Sequence, residues 1–281
     1  PFTSHFLLHN SYFILPMFFL SIHLADDALI LGHRNSEWTG HGPNLEQDIA
    51  ISNIALDQIG QARNFYQYAA ELYNANKDAY SNFISSPAFH QVIGPIDEDD
   101  LAYLRDAIEF RNHLLVELNK GDWAVTITRQ FFMSLYQQLL YSDLQYSADK
   151  RLAAIAEKSL KEVNYHVRWS GEWVIRLGDG TEESHHRMEA AIDQLWPYVG
   201  ELFMPADFQL EAAASGLLKN PNYYREPWLE KTRAAFEQAG LAMPALNWYQ
   251  KGGKQGIHTE HLGYLLAEMQ YLQRSHPGAQ W

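Results

Sequence analysis

ISNIALDQIGQARNFYQYAAEL, residues 51–72, is the stretch on which the reading of the fold turns. Ile51, Ile54, Gln58, Gln61, Phe65 and Leu72 step by threes, fours and one seven, so they share one face of a helix. Two amides therefore interrupt an apolar stripe. A buried amide left without a hydrogen bond costs about 1–3 kcal/mol. The two glutamines are thus either a satisfied polar pair or the solvent edge of the stripe. They sit three residues apart, the spacing at which helical-bundle enzymes place a Glu and a His to hold iron.

Beyond this stretch, most of the chain has helical periodicity and strand-like alternation is scarce. Helices are expected over about 18–38, 45–73, 98–119, 123–146, 149–177, 181–203 and 259–274, with shorter ones between the later prolines. Thr39-Gly40-His41-Gly42-Pro43-Asn44 separates the first two, and Lys120-Gly121-Asp122 is a stop followed by an N-cap. Gly178-Asp179-Gly180-Thr181 closes one helix and caps the next. Long helices joined by short turns make an all-α antiparallel bundle of ferritin-like proportion, with accessory C-terminal helices.

The 281 residues are 47% apolar, enough for one large core or two small ones. With 21 basic against 34 acidic residues the net charge is −13, which argues against a nucleic-acid footprint. The absence of cysteine excludes disulfides, thiolate metal sites and cysteine nucleophiles. Near the N-terminus, FLLHNSYFILPMFFL is interrupted by His9, Asn10 and Pro16, short of a membrane span, and no basic residue precedes Arg34. Residues 1–16 read as a tag or extra arm, and 17–281 as one domain.

Further rows face the bundle interior: Leu160, Val163, His166, Ser170, Val174 and Leu177 on one helix, and Ile127, Phe131, Ser134, Gln138 and Tyr141 on another. On the first helix Ile30, Arg34 and Glu37 share a face. A di-iron carboxylate site needs a Glu from each of two helices and Glu-x-x-His from each of two others. No inward-facing row carries that motif: His185 and His186 follow Glu182 and Glu183 only at a capped turn, His113 follows Glu109 by four, and His258-Thr259-Glu260-His261 has the wrong order. Periodicity alone thus gives a bundle without an evident metal site.

Three segments carry a resemblance: 31–72, from LGHRNSEW to YQYAAEL; KEVNYHVRWSGEWVIRLGDGTEES, 161–184; and GGKQGIHTEHLGYLLAEMQYLQR, 252–274. Together they resemble the C subunits of bacterial phenylacetyl-CoA epoxidase (ring-1,2-monooxygenase) complexes over nearly everything after Met17. The last segment is the specific one, because helix formation does not demand a Gly-Gly-Lys turn before His-Thr-Glu-His. The resemblance implies a ferritin-like chain that binds and supports a catalytic A subunit, itself a similar chain holding the di-iron centre. Set beside that catalytic paralogue, the ligand positions fall on Glu37, Gln58, Gln61, Ser134, Val163 and His166, of which only Glu37 and His166 keep a ligand type. The site is expected to be vestigial, with Glu37 and His166 free to join a polar network with the glutamines. The resemblance also places Glu109, Phe110, Arg111, Asn112, Leu210, Glu211 and Ala212 near the substrate.

The implied role is a non-catalytic subunit of a cytoplasmic complex that epoxidises phenylacetyl-CoA. This chain would hold no metal or other cofactor. Iron belongs to the A subunit, and NADPH, flavin and iron–sulfur to a partner reductase. Expected partners are the A subunit, other epoxidase subunits and a second copy of the chain when alone, with phenylacetyl-CoA reached indirectly and neither nucleic acid nor membrane involved. Two rivals stand beside it: an active di-iron oxygenase or ferroxidase with a rearranged site using Glu162 and His166, and a free-standing helical scaffold.

Overall fold

The computed structural model describes residues 3–80, 82–245 and 248–279, and for residues 3–14 the backbone alone. The helices are α1 (Thr3–Ser36), α2 (Leu45–Ala75), α3 (Lys77–Tyr80), α4 (Glu98–Tyr103), α5 (Leu114–Glu117) and α6 (Trp123–Leu144). They continue with α7 (Lys150–Gly178), α8 (Glu182–Val199), α9 (Asp207–Ala214), α10 (Arg225–Gln238) and α11 (Glu260–Ser275). No strand occurs among the described residues. The chain is all-α and ferritin-like, as expected.

Local chemistry sets the helix starts. Asn44, Asp122, Asp149 and Thr181 each accept a hydrogen bond from the backbone N–H three residues on, at the heads of α2, α6, α7 and α8. Gly121 takes φ +66° and turns the chain into the Asp122 cap. The core of the bundle pairs α1 with α2 and α6 with α7, and α2 against α7 brings the pairs together. Residues 124–137 of α6 are buried on every side, because α8 and α10 cover its outer face. There Trp228 is fully buried among Phe132, Trp196 and Phe203, its indole N–H donating to Phe132 O at 3.0 Å.

Leu15–Ser36 has the length and hydropathy of a membrane span, but 83% of its apolar 18-residue window is buried inside the bundle, so it is a core helix. The backbone of α1 is helical through Pro16, so the boundary expected there coincides with no helix end.

The expected single helix over 98–119 is not formed. After α4 come a 3₁₀ turn at Ala107–Glu109 and an extended run through Phe110 and His113 before the single turn of α5. Neither Gly nor Pro marks this break. Its cause is tertiary: the carboxylates of Asp26 and Asp27 on α1 accept the backbone N–H groups of Arg111 and His113, each at 2.7 Å. Ionised acceptors at those distances compete well with helical carbonyls.

Candidate functional site

The face of α2 that carries Gln58 and Gln61 does turn inward. Ile51, Ile54, Gln58, Gln61 and Phe65 are buried, with Leu72 partly so. Gln58 joins a chain of neutral groups: Asn35 Nδ2 donates to Gln130 Oε1 at 2.6 Å and to Gln58 Oε1 at 3.3 Å. Gln58 Nε2 in turn donates to Gln130 Oε1 at 3.4 Å, and Gln130 Nε2 donates to Ser134 Oγ at 2.8 Å. These four side chains come from α1, α2 and α6 and are all fully buried.

One turn further along α2, contacts run to α7 instead. Gln61 Nε2 donates to Glu162 Oε2, and His166 Nε2 meets Asp57 Oδ2, both at 2.9 Å. Val163 and His166 are fully buried, whereas the Asp57 side chain is 36% exposed and Glu162 is half-buried. Burial and then the neighbouring Asp57 charge raise the Glu162 carboxyl above its ordinary range. The carboxylates therefore stand at the α2–α7 rim, not at the bundle centre.

Of the six positions read as former ligands, Gln58 and Ser134 share one hydrogen-bonded group, and Gln61 and His166 lie in the second. Glu37 joins neither. It follows the last helical residue of α1, is exposed, and accepts from Arg34 Nη1 at 2.7 Å. The inward place at the end of α1 belongs to Asn35. Sequence reasoning missed Asn35 and Gln130. The first was within reach, since Ala28, Leu31 and Asn35 step by three and four along a buried face.

Three buried polar atoms in these groups, Asn35 Oδ1, Gln61 Oε1 and His166 Nδ1, have no protein partner. The centre thus offers four amides, one hydroxyl and one imidazole. A di-iron centre of the carboxylate type needs four carboxylates and two imidazoles, so the residues present do not fit it.

A family model described as phenylacetic acid catabolic protein matches residues 16–281. The chain belongs to this family. A relative from Escherichia coli (strain K12), named as the C subunit of 1,2-phenylacetyl-CoA epoxidase, is 43% identical over 261 residues, 93% of this chain and 97% of its own length.

In this chain the Gly-Gly-Lys and His-Thr-Glu-His segments form a clamp. Glu201, buried after α8, accepts from Gly252 N and Leu114 N at 2.8 Å and from Gly253 N at 2.9 Å. Lys254 Nζ donates to Glu201 O at 3.0 Å and also to Met204 O and Gln209. Glu117 holds the other end, accepting from Thr259 N at 2.6 Å and Asn112 Nδ2 at 2.8 Å, with His258 Nδ1 2.7 Å away. A Cβ on Gly253 would fall 2.2 Å from Asn112 O, so only glycine allows the approach.

The positions expected near the substrate are mostly committed to this interior. Glu109 Oε1 accepts from Ser85 and Ser86 backbone N–H groups, Phe110 lies 4.2 Å beneath the Arg105 guanidinium, and Asn112 serves Glu117. The Arg111 guanidinium donates to Ile108 O and Phe110 O. On α9, Ala212 is buried while Leu210 and Glu211 face outward.

Beside the clamp sit two fully buried histidines, His23 and His113, with Asp27. Burial pushes both imidazoles down to about 3 and lifts the Asp27 carboxyl to about 6. Sequence reasoning weighed His113 only against Glu109. The available signal for this cluster was Asp26-Asp27 in the middle of an apolar helix.

Proposed function

We propose that this chain is a structural subunit of a multicomponent monooxygenase that epoxidises the ring of phenylacetyl-CoA, and that it does no redox chemistry itself. The observation that carries this reading is the buried, neutral donor set of Asn35, Gln58, Gln61 and Gln130, with an apolar Val163 buried as well. Amides do not balance the charge of two irons as carboxylates do. Likeness to a protein named as the C subunit of 1,2-phenylacetyl-CoA epoxidase supports the assembly.

In this reading the di-iron centre belongs to a catalytic A subunit, which this chain binds and supports. Electrons reach it from NADPH through a separate reductase carrying flavin and iron–sulfur. The chain also meets other epoxidase subunits, pairs with itself when alone, and works in the cytoplasm without membrane or nucleic acid. The surface suits an assembled protein: Leu45, Ile49 and Leu56 form an outward row on α2, 71%, 52% and 68% exposed. On α11, Tyr264 and Tyr271 form another, 71% and 69% exposed.

A second reading, an oxygenase or ferroxidase with a rearranged site, rests on Asp57, Glu162 and His166 at the α2–α7 rim. They offer two carboxylates and one imidazole, half of what the centre needs. Co-expression with the catalytic subunit separates the readings. The expected result is a stable complex, with the chain alone holding no iron pair and consuming no oxygen. Two irons per chain with oxygen turnover by the chain alone would sink the structural reading, as would failure to associate at micromolar concentration.

A further inference from the structure

The His23, Asp27 and His113 cluster has the local wiring of a metal site. His23 and Asp27 lie four residues apart on α1 and share a face, and His113 comes from the extended run after the 3₁₀ turn. His23 Nδ1 is 2.7 Å from Arg111 O. A carbonyl can only accept, so Nδ1 carries the hydrogen and Nε2 keeps a lone pair. Tying one ring nitrogen to a carbonyl is how ligating histidines are oriented. His113 Nδ1 stands 2.7 Å from Asp27 Oδ2, so on this ring Nδ1 is the nitrogen beside the carboxylate.

The other nitrogen of His23 is the second, independent observation: Nε2 is fully buried and has no hydrogen-bond partner. A buried lone pair left without an electrophile costs about 1–3 kcal/mol. His23 Nε2 stands 3.8 Å from Asp27 Oδ2, and one donor atom from each of the three residues lies within 4.8 Å of the others. Closing on an ion with bonds of ~2.0–2.2 Å asks the side chains to move less than about 1 Å. The cation whose charge acts on all three groups, Lys254, is bound to Glu201, Met204 and Gln209. Asp27 and Glu201 together outweigh it by one charge.

We propose that His23, Asp27 and His113 bind one divalent transition-metal ion of the zinc type, which staples the non-helical run at 110–113 to α1. Two imidazoles and a carboxylate are a donor set zinc accepts, and the site lies away from solvent, where an ion holds structure. Because the ligands are enclosed, the ion enters as the chain folds and exchanges slowly once folded. The proposal is independent of the subunit reading above, since none of its residues belongs to the amide network.

The test uses the full chain, unfolded in urea and refolded either with Zn²⁺ or with a chelator, then stripped of loose metal. The expected result is about one zinc per chain that survives dialysis against chelator, with a higher Tm than the chelator-refolded protein. Co²⁺ in place of zinc should give visible d–d absorption. His23→Gln and His113→Gln should lose the ion, and His166→Gln, in the other histidine site, should keep it. Less than about 0.2 ion per chain with equal Tm overturns the proposal, leaving water to meet the His23 Nε2 lone pair. So does loss of the ion in His166→Gln together with its retention in His113→Gln. The wild-type comparison decides by itself should a variant fail to fold.

Discussion

Placing one carboxylate where Gln58 stands probes whether the bundle centre is closed and neutral. Gln58 is fully buried; its Oε1 accepts from Asn35 and its Nε2 faces Gln130 Oε1 at 3.4 Å. Gln58→Glu keeps the acceptor but sets a second oxygen against that of Gln130, and the side chains hydrogen-bonded to it are neutral. Fully buried carboxyls rise by as much as ~3–5 pH units. The hydrogen bond from Asn35 offsets part of that, leaving about two to three units, or about 3–4 kcal/mol at ~1.4 kcal/mol per unit. The sign follows from linkage: with the folded-state value raised, the folded protein holds a proton the unfolded chain has lost. The penalty is therefore full at high pH and fades as pH falls toward ~4.3, the ordinary glutamate value. Urea unfolding of wild type and variant, followed by far-ultraviolet circular dichroism at pH 5 and pH 8, measures it. A loss under about 1 kcal/mol at both pH values would refute the reasoning, because the carboxylate would then be reaching water. The extended variant adds Gln61→His, Val163→Glu and Asn35→Glu, the last replacing Glu37 as the α1 position. It should regain stability with Fe²⁺ or Co²⁺; a gain no larger than that of wild type would show that these side chains do not converge.

Glu201→Ala leaves three buried N–H groups without their acceptor, and at ~1–3 kcal/mol each, not fully additive, a loss of about 4 kcal/mol is expected by chemical denaturation. Gly253→Ala, whose Cβ would meet Asn112 O, should lower Tm by several degrees, and an unchanged Tm would show that the clamp is not tight. Burial lowers the Lys254 ammonium to about 8. Between there and the unfolded value near 10.5 the unfolded chain binds the extra proton, so stability rises with pH by up to about 1.4 kcal/mol per unit. Lys254→Met should lack that rise between about pH 8 and 9.5 in paired urea titrations. On the outer row of α2, Leu56→Asp should leave stability within about 0.5 kcal/mol yet weaken capture of the catalytic subunit at least ~10-fold; unchanged capture removes that row from the interface.

Local pattern was enough for the helical class, most helix starts and the inward face of α2, because periodicity and caps are properties of neighbouring residues. The row through Gln58 and Gln61 is buried as its spacing implies, and Asp122 and Thr181 cap as expected. Glu37 was assigned to the wrong side because helical phase holds only inside a helix, and α1 ends at Ser36. The break after α4 was invisible, since its residues carry no breaker; the carboxylates that cause it sit some eighty residues earlier, on α1. The pairing of Glu201 with Gly252 and Gly253, and of His23 and Asp27 together with His113, likewise joins segments far apart in the chain. Such pairings arise only in the packed molecule, because a buried carboxylate takes whichever donors the assembled helices bring within reach, and no local pattern encodes which those will be.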